Sequence, residues 1–371
     1  MARRGRETPA SLSTESGQRI FMANKKRRLL GLDIGDHAIK LIQLRWEKDG
    51  FSLERLGRGS LDEGVMRAGE IGNEDALIEA IQKLMAQEDV KETRVAVSLS
   101  GGSVALRTVW VPETAKEEME SLIAWEGEQY LPSPIEDLIL DYVIQGETEE
   151  KGKQWLQVLL AGARKPFVEQ HRDVIRRAGL EPIVMDCTPL ALENGFEASG
   201  STNGDDSFLL LDIGSQLTYA HTVSGGLSLL TQHFLLGGDD YTRTVQEGLD
   251  VDFERAEAIK CGGDPDHPVE SLSDYLDPVT DRIASDLKRF LSLYEAEWGN
   301  LQIQAIILSG GGGRLQGLEG RLAQILELPV EIANPFAQVS FSDQEFDPDF
   351  VASMAPISVI AMGLAVRSVE G

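Results

Sequence analysis

Alternating apolar and polar positions mark the start of the first fold element. Residues 27–44 read RRLLGLDIGDHAIKLIQL, which is an apolar strand, a tight turn and a second strand of alternating polarity. Such alternation is typical of strands that bury one face. RVAVSLSG and SVALRTVWV are also strand-like, whereas AKEEMESLIAWEGEQYL has apolar residues at helical spacing. The pattern therefore predicts a mixed α/β fold.

The opening pattern returns in the second half of the chain. FLLLDIGSQLTYAHTV follows STNGDDS, a cluster of small polar residues that is typical of a linker. Aligning Asp33 with Asp212, 179 positions later, also aligns Gly35 with Gly214. A period of this length is not that of a short solenoid repeat. It predicts a chain built from two similar α/β halves.

Composition and charge narrow the class of protein. Of 371 residues, 42% are hydrophobic and 26% are charged, as in ordinary globular proteins. The formal charge of −26 argues against nucleic-acid binding, which needs clustered Lys and Arg. Residues 1–28 are basic, and we predict a disordered leader there, with contact to an anionic membrane surface as the alternative. Two cysteines, Cys187 and Cys261, suit a reducing compartment, so we expect a cytoplasmic protein.

Each half begins with a strand, an Asp-Ile-Gly turn and another strand. A glycine turn at a strand end places backbone N–H groups where a phosphate could bind, and its aspartate can hold Mg²⁺ or the waters of Mg²⁺. A single copy is more simply explained as an ordinary turn with a side chain-to-backbone hydrogen bond. Two copies at equivalent places favour a Mg-polyphosphate held from both sides.

A third motif is IILSGGGGRLQGL, an apolar strand that runs into four glycines and a helix. It lacks the Gly-Lys-Ser/Thr of a P-loop and the G-x-G-x-x-G of a dinucleotide site. Glycines at such a place allow a base or ribose to approach the backbone closely. Alone, the motif is a weak signal.

Together these segments resemble the actin-like ATPase superfamily, which includes sugar kinases, chaperone ATPases, MreB and FtsA. Its phosphate turns look like DIGDHAIK and DIGSQLTY, its adenosine motif like LSGGGGRLQGL, and AEAIK and GGDDYT are also similar. The resemblance implies ATP or ADP with Mg²⁺ in a cleft between the halves, with Asp33 and Asp212 holding the metal through water. The implied nucleotide contacts are Asp33, Gly35, Asp36, Lys40, Asp212, Gly214, Ser215, Gly238, Glu257, Lys260, Gly310, Gly311 and Gly312.

Within that superfamily the chain resembles the PilM family of type IV pilus assembly proteins. The resemblance is carried by LRTVWVPETAKEEMESLIAWEGEQYLPSPIEDLILDY, SGGGGRLQGLEGRLAQILELPVEIANPF and APISVIAMGLAVR. It implies a scaffold at the inner face of the bacterial inner membrane that docks on the short N-terminal tail of PilN. That scaffold would connect the platform proteins to the pilus motor. Trp125, Glu126 and Tyr130 are candidate partner contacts, although Trp125 and Tyr130 fit a plain core equally well.

The resemblance also implies a domain division. The expected parts are a basic leader at 1–28, a first core subdomain at 29–102 and 179–204 with a C-terminal helix at 350–371, an extra subdomain at 103–178, a second core subdomain at 205–250 and 300–349, and a helical subdomain over the cleft at 251–299.

Two departures from the superfamily pattern bear on activity. Asp36 stands where relatives usually have Ser or Thr, and a second carboxylate there disfavours phosphate. Thr188 precedes Pro189 where MreB-like relatives carry a water-activating Glu. We therefore expect hydrolysis to be slow or absent. The alternatives are an FtsA- or MreB-like filament-forming ATPase and another active actin-like enzyme. The sequence contains no sugar-kinase motif. The segment AVRSVEG lacks the terminal amphipathic helix of FtsA.

Overall fold

The computed structural model describes residues 29–48, 50–113, 118–119, 121–123, 125, 134–150, 152–200, 206–299 and 301–368. The strands in these ranges are β1 (Leu30–Ile34), β2 (Ala38–Glu47), β3 (Gly50–Ser60), β4 (Met66–Arg67), β5 (Glu70–Ile71), β6 (Arg94–Leu99), β7 (Val104–Pro112), β8 (Leu138–Glu150), β9 (Lys153–Arg164), β10 (Glu181–Cys187), β11 (Ser207–Ile213), β12 (Thr218–Ser224), β13 (Leu227–Phe234), β14 (Ile303–Ser309), β15 (Val330–Ile332) and β16 (Val339–Ser340). The helices are α1 (Glu74–Gln87), α2 (Lys165–Arg177), α3 (Thr188–Ala198), α4 (Gly238–Leu249), α5 (Phe253–Lys260), α6 (Ser273–Trp298), α7 (Leu318–Leu326), α8 (Pro348–Met354) and α9 (Val359–Ala365).

Two sheets share the same central arrangement. The first has the order β10-β6-β1-β2-β3-β16 and the second β13-β12-β11-β14-β15. In each sheet, the strand before the Asp-Ile-Gly turn has an antiparallel neighbour on one side and a parallel neighbour on the other. The register is also the same, since Asp33 lies opposite Lys40 and Asp212 lies opposite Tyr219. The prediction of two similar α/β halves is therefore confirmed.

A three-stranded sheet with the order β7-β9-β8 lies within residues 103–178, where an extra subdomain is expected. The helical residues between 118 and 125 cover one of its faces, where Met119 and Ile123 pack against Val158. Trp125 is 58% exposed, so it is not a core residue, while Glu126 and Tyr130 lie outside the described residues. Helix α2 was expected to belong to this subdomain, but it packs into the core of the first half. The extra sheet therefore ends near residue 164.

The helical segment 251–299 differs from the expected separate subdomain. Val279, Ile283 and Leu287 of the long helix α6 are buried in one cluster with Leu211 and Ile306 of the five-stranded sheet. Apolar residues at helical spacing place one face of α6 against that sheet. The second half and this segment therefore share a single core.

The C-terminal region also differs from the expected single helix at 350–371. The chain forms α8, a 3-10 turn at Ala355–Ile357 and then α9, with α8 and its turn bent 91° from α9. Pro356 accounts for the end of α8 at Met354, because proline lacks the N–H that a continuing α-helix needs. Among the described residues, no single helix is long and apolar enough to cross a membrane, although this bent pair together meets the length and composition for one.

Candidate functional site

A cavity of about 430 Å³ lies between the two halves, where both Asp-Ile-Gly turns meet. This volume is within the range of small-molecule sites. All of the predicted nucleotide contacts except Gly310 line it, namely Asp33, Gly35, Asp36, Lys40, Asp212, Gly214, Ser215, Gly238, Glu257, Lys260, Gly311 and Gly312. Residues separated by nearly 280 positions in sequence are thus brought to one place.

The first turn is held by two hydrogen bonds. The Gly35 N–H donates to the Ala38 carbonyl at 3.1 Å. Lys40 Nζ donates to Asp33 Oδ2 at 2.7 Å, and the Asp33 residue is only 4% exposed. Because Lys40 lies opposite Asp33 in the β1–β2 pair, the strand register itself positions this ion pair. The turn therefore presents a paired carboxylate and ammonium to the cavity.

The second turn has the same backbone hydrogen bond as the first. Its aspartate, however, lies opposite Tyr219, whereas Asp33 lies opposite Lys40. The Gly214 N–H donates to the Leu217 carbonyl at 2.8 Å, as in the first turn. Asp212 Oδ1 accepts from Ser309 Oγ at 2.8 Å. Burial raises the pKa of Asp212 to about 6, against an ordinary value of 3.8. Asp212 is thus a buried carboxylate that is mostly ionised at neutral pH, and a bound cation would stabilise it.

The Asp36 carboxylate is hydrogen-bonded within the protein. Its Oδ1 accepts from the Gly69 N–H at 2.9 Å. The neighbouring Ala68 N–H donates to Gln216 Oε1 of the second turn at 3.1 Å, so the hairpin between β4 and β5 contacts both turns. Burial raises the pKa of Asp36, and the charge of Asp239 raises it further. The Asp36 carboxylate therefore also holds the hairpin that contacts both turns.

Glu257 and Lys260 form the far side of the cavity. Lys260 Nζ lies 2.6 Å from Glu257 Oε2, and it also donates to the Gly238 carbonyl at 3.1 Å and to Thr242 Oγ1 at 2.9 Å. Burial alone would raise the pKa of Glu257, but Lys260 and Thr242 hold it below its ordinary value. These contacts fix the direction of both side chains at the cavity.

The glycine loop after β14 serves packing as well as ligand access. A Cβ on Gly310, where φ is +85°, would lie 2.4 Å from the Ile213 carbonyl oxygen, and a Cβ on Gly312 would lie 2.4 Å from Ile213 Cγ2. A Cβ on Gly311 would meet no atom within 4 Å, and Gly311 lines the cavity. Gly310 and Gly312 therefore allow the loop to pack on the second turn, while Gly311 leaves open space.

Several further residues line the cavity that the sequence did not single out as contacts. They include His37, Arg58, Asp239 and Arg314. Arg58 was detectable in principle, because it lies opposite Lys40 in the β2–β3 pair and so shares the same face of the sheet. Thr188 also lines the cavity, and its hydroxyl donates to the Leu99 carbonyl at 3.0 Å.

The donor set fits a magnesium ion that is held only partly by protein. Mg²⁺ prefers oxygen ligands and commonly keeps several waters, with one or two carboxylates and the phosphates of the substrate completing its shell. Asp33 and Asp212 supply two such carboxylates at the cavity. Among the residues that the structure describes, no three His, Cys, Asp or Glu side chains are grouped to hold a metal by themselves. The site therefore suits Mg²⁺ that arrives with a polyphosphate.

Comparison with known proteins agrees with this geometry. A family model described as type IV pilus assembly protein PilM matches residues 31–369. A solved structure described as a PilM-PilN type IV pilus biogenesis complex has a TM-score of 0.82 and 29% sequence identity, covering 92% of this chain and 98% of that chain.

Two more distant proteins are also similar to this chain, one in structure and one in sequence. The ethanolamine utilization protein EutJ from Carboxydothermus hydrogenoformans has a TM-score of 0.53 and 18% identity, with 92% and 89% of the two chains covered. The cell division protein FtsA of Neisseria meningitidis serogroup B is 24% identical over 375 residues, with 89% of each chain covered. The predicted actin-like ATPase fold is confirmed, and nucleotide binding is expected from that fold. The chain belongs to the PilM family of type IV pilus assembly proteins.

Proposed function

We propose that this chain is a nucleotide-binding scaffold that docks on the cytoplasmic N-terminal tail of a PilN-type inner-membrane protein. It would act at the inner face of that membrane and link the assembly platform to the pilus motor. The observation that carries the proposal is the meeting of both Asp-Ile-Gly turns and Gly311 on one cavity in a chain of the PilM family. The alternative, an FtsA-like filament-forming ATPase, uses the same cleft and differs in its partner.

The cavity supports ATP or ADP with Mg²⁺ as its ligand. Both glycine turns line it, and turns of this kind commonly present backbone N–H groups to an anion. Lys40 balances negative charge beside them, and Glu257 and Lys260 lie where the nucleoside would bind. Mass spectrometry of the natively purified chain should find ATP or ADP bound. A chain that carries neither nucleotide and shows no calorimetric binding of either with Mg²⁺ would contradict the proposal.

We expect ATP turnover below about one per second, which is the low end of ordinary enzymes. Thr188 cannot remove a proton from water, and its hydroxyl is already engaged by the Leu99 carbonyl. Asp36 places an additional negative charge next to the phosphates. A steady-state phosphate-release assay checks this rate in the presence of Mg²⁺. Turnover faster than this would show that another group activates the water.

The free edge of the extra sheet supports the docking of an extended peptide. β8 pairs with β9 on one side, and no strand of the described residues pairs with its other side. This edge carries Ile139, Val143 and Ile144, which are 44%, 54% and 49% exposed. An exposed strand edge with apolar side chains is the surface to which a peptide adds as a further strand. The similarity to a PilM-PilN complex supports the tail of a PilN-type protein as its occupant.

Replacing Val143 with glutamate should weaken binding of such a tail peptide by about tenfold or more, because a charge would have to be buried under the docked strand. Fluorescence anisotropy with a synthetic peptide of the host's PilN-type N-terminus measures this. The matched control is Leu293→Glu on α6, since Leu293 is 55% exposed. Equal loss of affinity in both variants, or none in Val143→Glu, would place the partner site elsewhere.

A further inference from the structure

An apolar surface with an acidic rim follows the edge strand β16 of the six-stranded sheet. Its apolar residues are Phe341, Phe346 and Phe350, of which Phe350 is 42% exposed and the other two are half-buried. The ring centroids of Phe341 and Phe346 are 6.4 Å apart, and the rings pack edge to face. Four exposed carboxylates form the rim, namely Asp343, Glu345, Asp347 and Asp349. Residues 341–350 are called the acidic patch below.

The described residues leave the acidic patch without a counter-charge. No Lys or Arg among them forms an ion pair with any of its four carboxylates. Asp347 caps helix α8, where its Oδ1 accepts from the Asp349 N–H at 2.9 Å. Exposed apolar surface with a polar rim is typical of an interaction site. The chemistry of this one calls for a segment that carries both apolar and basic side chains.

Residues 1–28, the basic leader, have that composition. They contain eight Lys and Arg side chains against two Glu, which gives a formal charge of +6. The part nearest the fold reads RIFMANKKRR at 19–28. It places Ile20, Phe21 and Met22 between one arginine and a run of four basic residues. Apolar anchors for the phenylalanine rings and cations for the carboxylates therefore stand side by side in the leader.

The basic leader also joins the fold within reach of the acidic patch. Gly31 of β1 is level with Leu56 of β3 through the shared neighbour β2, and Val339 of β16 lies opposite Phe51 of β3. With a strand spacing of about 4.8 Å and a rise of about 3.4 Å per residue, Gly31 and Val339 are about 22 Å apart. The chain from Met22 to Gly31 can span up to about 30 Å. The apolar anchors can therefore reach the patch.

We propose that residues 19–28 dock on the acidic patch of the same chain, with their apolar side chains on the phenylalanine rings and their cations on the rim. The inference goes beyond the proposed function and does not depend on it. A second copy is a weaker competitor, because a short tether holds the leader at an effective concentration on the order of millimolar. Docking would also keep these cations from an anionic surface.

The test follows tryptic cleavage within residues 19–28 of the full chain at low salt, because a docked segment is cut slowly. The double variant Asp343→Asn with Glu345→Gln should be cut about threefold faster or more, since several exposed ion pairs are lost at once. Phe350→Gln should also speed cleavage, because it removes an apolar contact. Equal cleavage rates in the unchanged chain and in these variants would overturn the proposal.

The matched control is Glu79→Gln with Glu295→Gln. It removes two exposed carboxylates, one on α1 and one on α6, and so changes the net charge equally. Its leader should be cut at the rate of the unchanged chain. High salt should bring the unchanged chain to the rate of the patch variants, because it screens exposed charges. A control that accelerates cleavage as much as the patch variant would show that overall charge, and not docking, sets the rate.

Carbodiimide coupling then identifies the occupant of the acidic patch. This reagent joins an amine to an adjacent carboxylate, so Lys25 or Lys26 should be coupled to the rim. In a mixture of isotope-labelled and unlabelled chains, the coupled peptides should come from one chain. Coupling only between different chains would overturn the proposal in favour of a second copy. Slow cleavage that appears only with phosphatidylglycerol vesicles would overturn it in favour of an anionic membrane.

Discussion

Replacing Gly363 with alanine is expected to be among the most destabilising single-methyl additions in this protein. A Cβ at this position of α9 would lie 1.7 Å from the Ala191 carbonyl oxygen of α3, far inside van der Waals contact. The same helix contact brings Val359 O to within 2.0 Å of where a Cβ on Gly195 would lie. Neither backbone can retreat cheaply, because both helices are buried in the core between the two sheets. We expect a loss of about 3 kcal/mol or more in the free energy of unfolding.

The matched control is Gly320→Ala. Gly320 lies in α7, and a Cβ there would meet no atom within 4 Å. Because alanine is favoured over glycine inside a helix by about 1 kcal/mol, this variant should be neutral or more stable. Urea denaturation of both variants gives the comparison. If Gly363→Ala unfolds at the same urea concentration as the unchanged chain, the contact between α9 and α3 accommodates the added methyl group, which contradicts the prediction.

The duplicated halves were predictable because local sequence alone specifies them. In each half an apolar strand precedes Asp-Ile-Gly, and the glycine N–H closes the turn onto the carbonyl three residues later. The alternating strand that follows then fixes the register. Lys40 opposite Asp33 and Tyr219 opposite Asp212 are thus equivalent positions, 179 residues apart in register as in sequence.

Contacts between distant segments were not predictable in the same way. Asp36 bonds to Gly69, and Gln216 bonds to Ala68, which is 148 positions away. Nothing in the residues near Ala68 signals that a hairpin there touches both turns, since its backbone N–H groups carry no sequence signature. The packing role of Gly310 was not predictable either. In a sequence, a glycine that backbone packing requires cannot be distinguished from one that a ligand requires.

Replacing Asp212 with asparagine is expected to stabilise the ligand-free protein while weakening Mg-nucleotide binding by an order of magnitude or more. Burial raises the pKa of Asp212 from 3.8 to about 6. Between these two values the folded state keeps a proton that the unfolded state has released, so this carboxyl makes stability fall as pH rises through that window. At pH 7.5 the ionised carboxylate destabilises the folded state to its full extent. Replacing it with a neutral amide should therefore raise the free energy of unfolding by about 1–3 kcal/mol. Asparagine retains the Oδ1 that accepts from Ser309.

Calorimetry with Mg-ADP and urea unfolding at pH 7.5 and pH 4 measure the two effects separately, and the gain in stability should shrink at the lower pH. The control is Asp186→Asn, because Asp186 is also 7% exposed but lies outside the cavity, where its Oδ2 accepts from Arg367 Nε at 2.7 Å. That variant should bind nucleotide as before, because Asp186 does not line the cavity, and it serves as the control for nucleotide affinity. If Asp212 only stabilised a structural turn, Asp212→Asn would leave nucleotide affinity unchanged. A site that binds a cation with its nucleotide makes both quantities move, and in opposite directions.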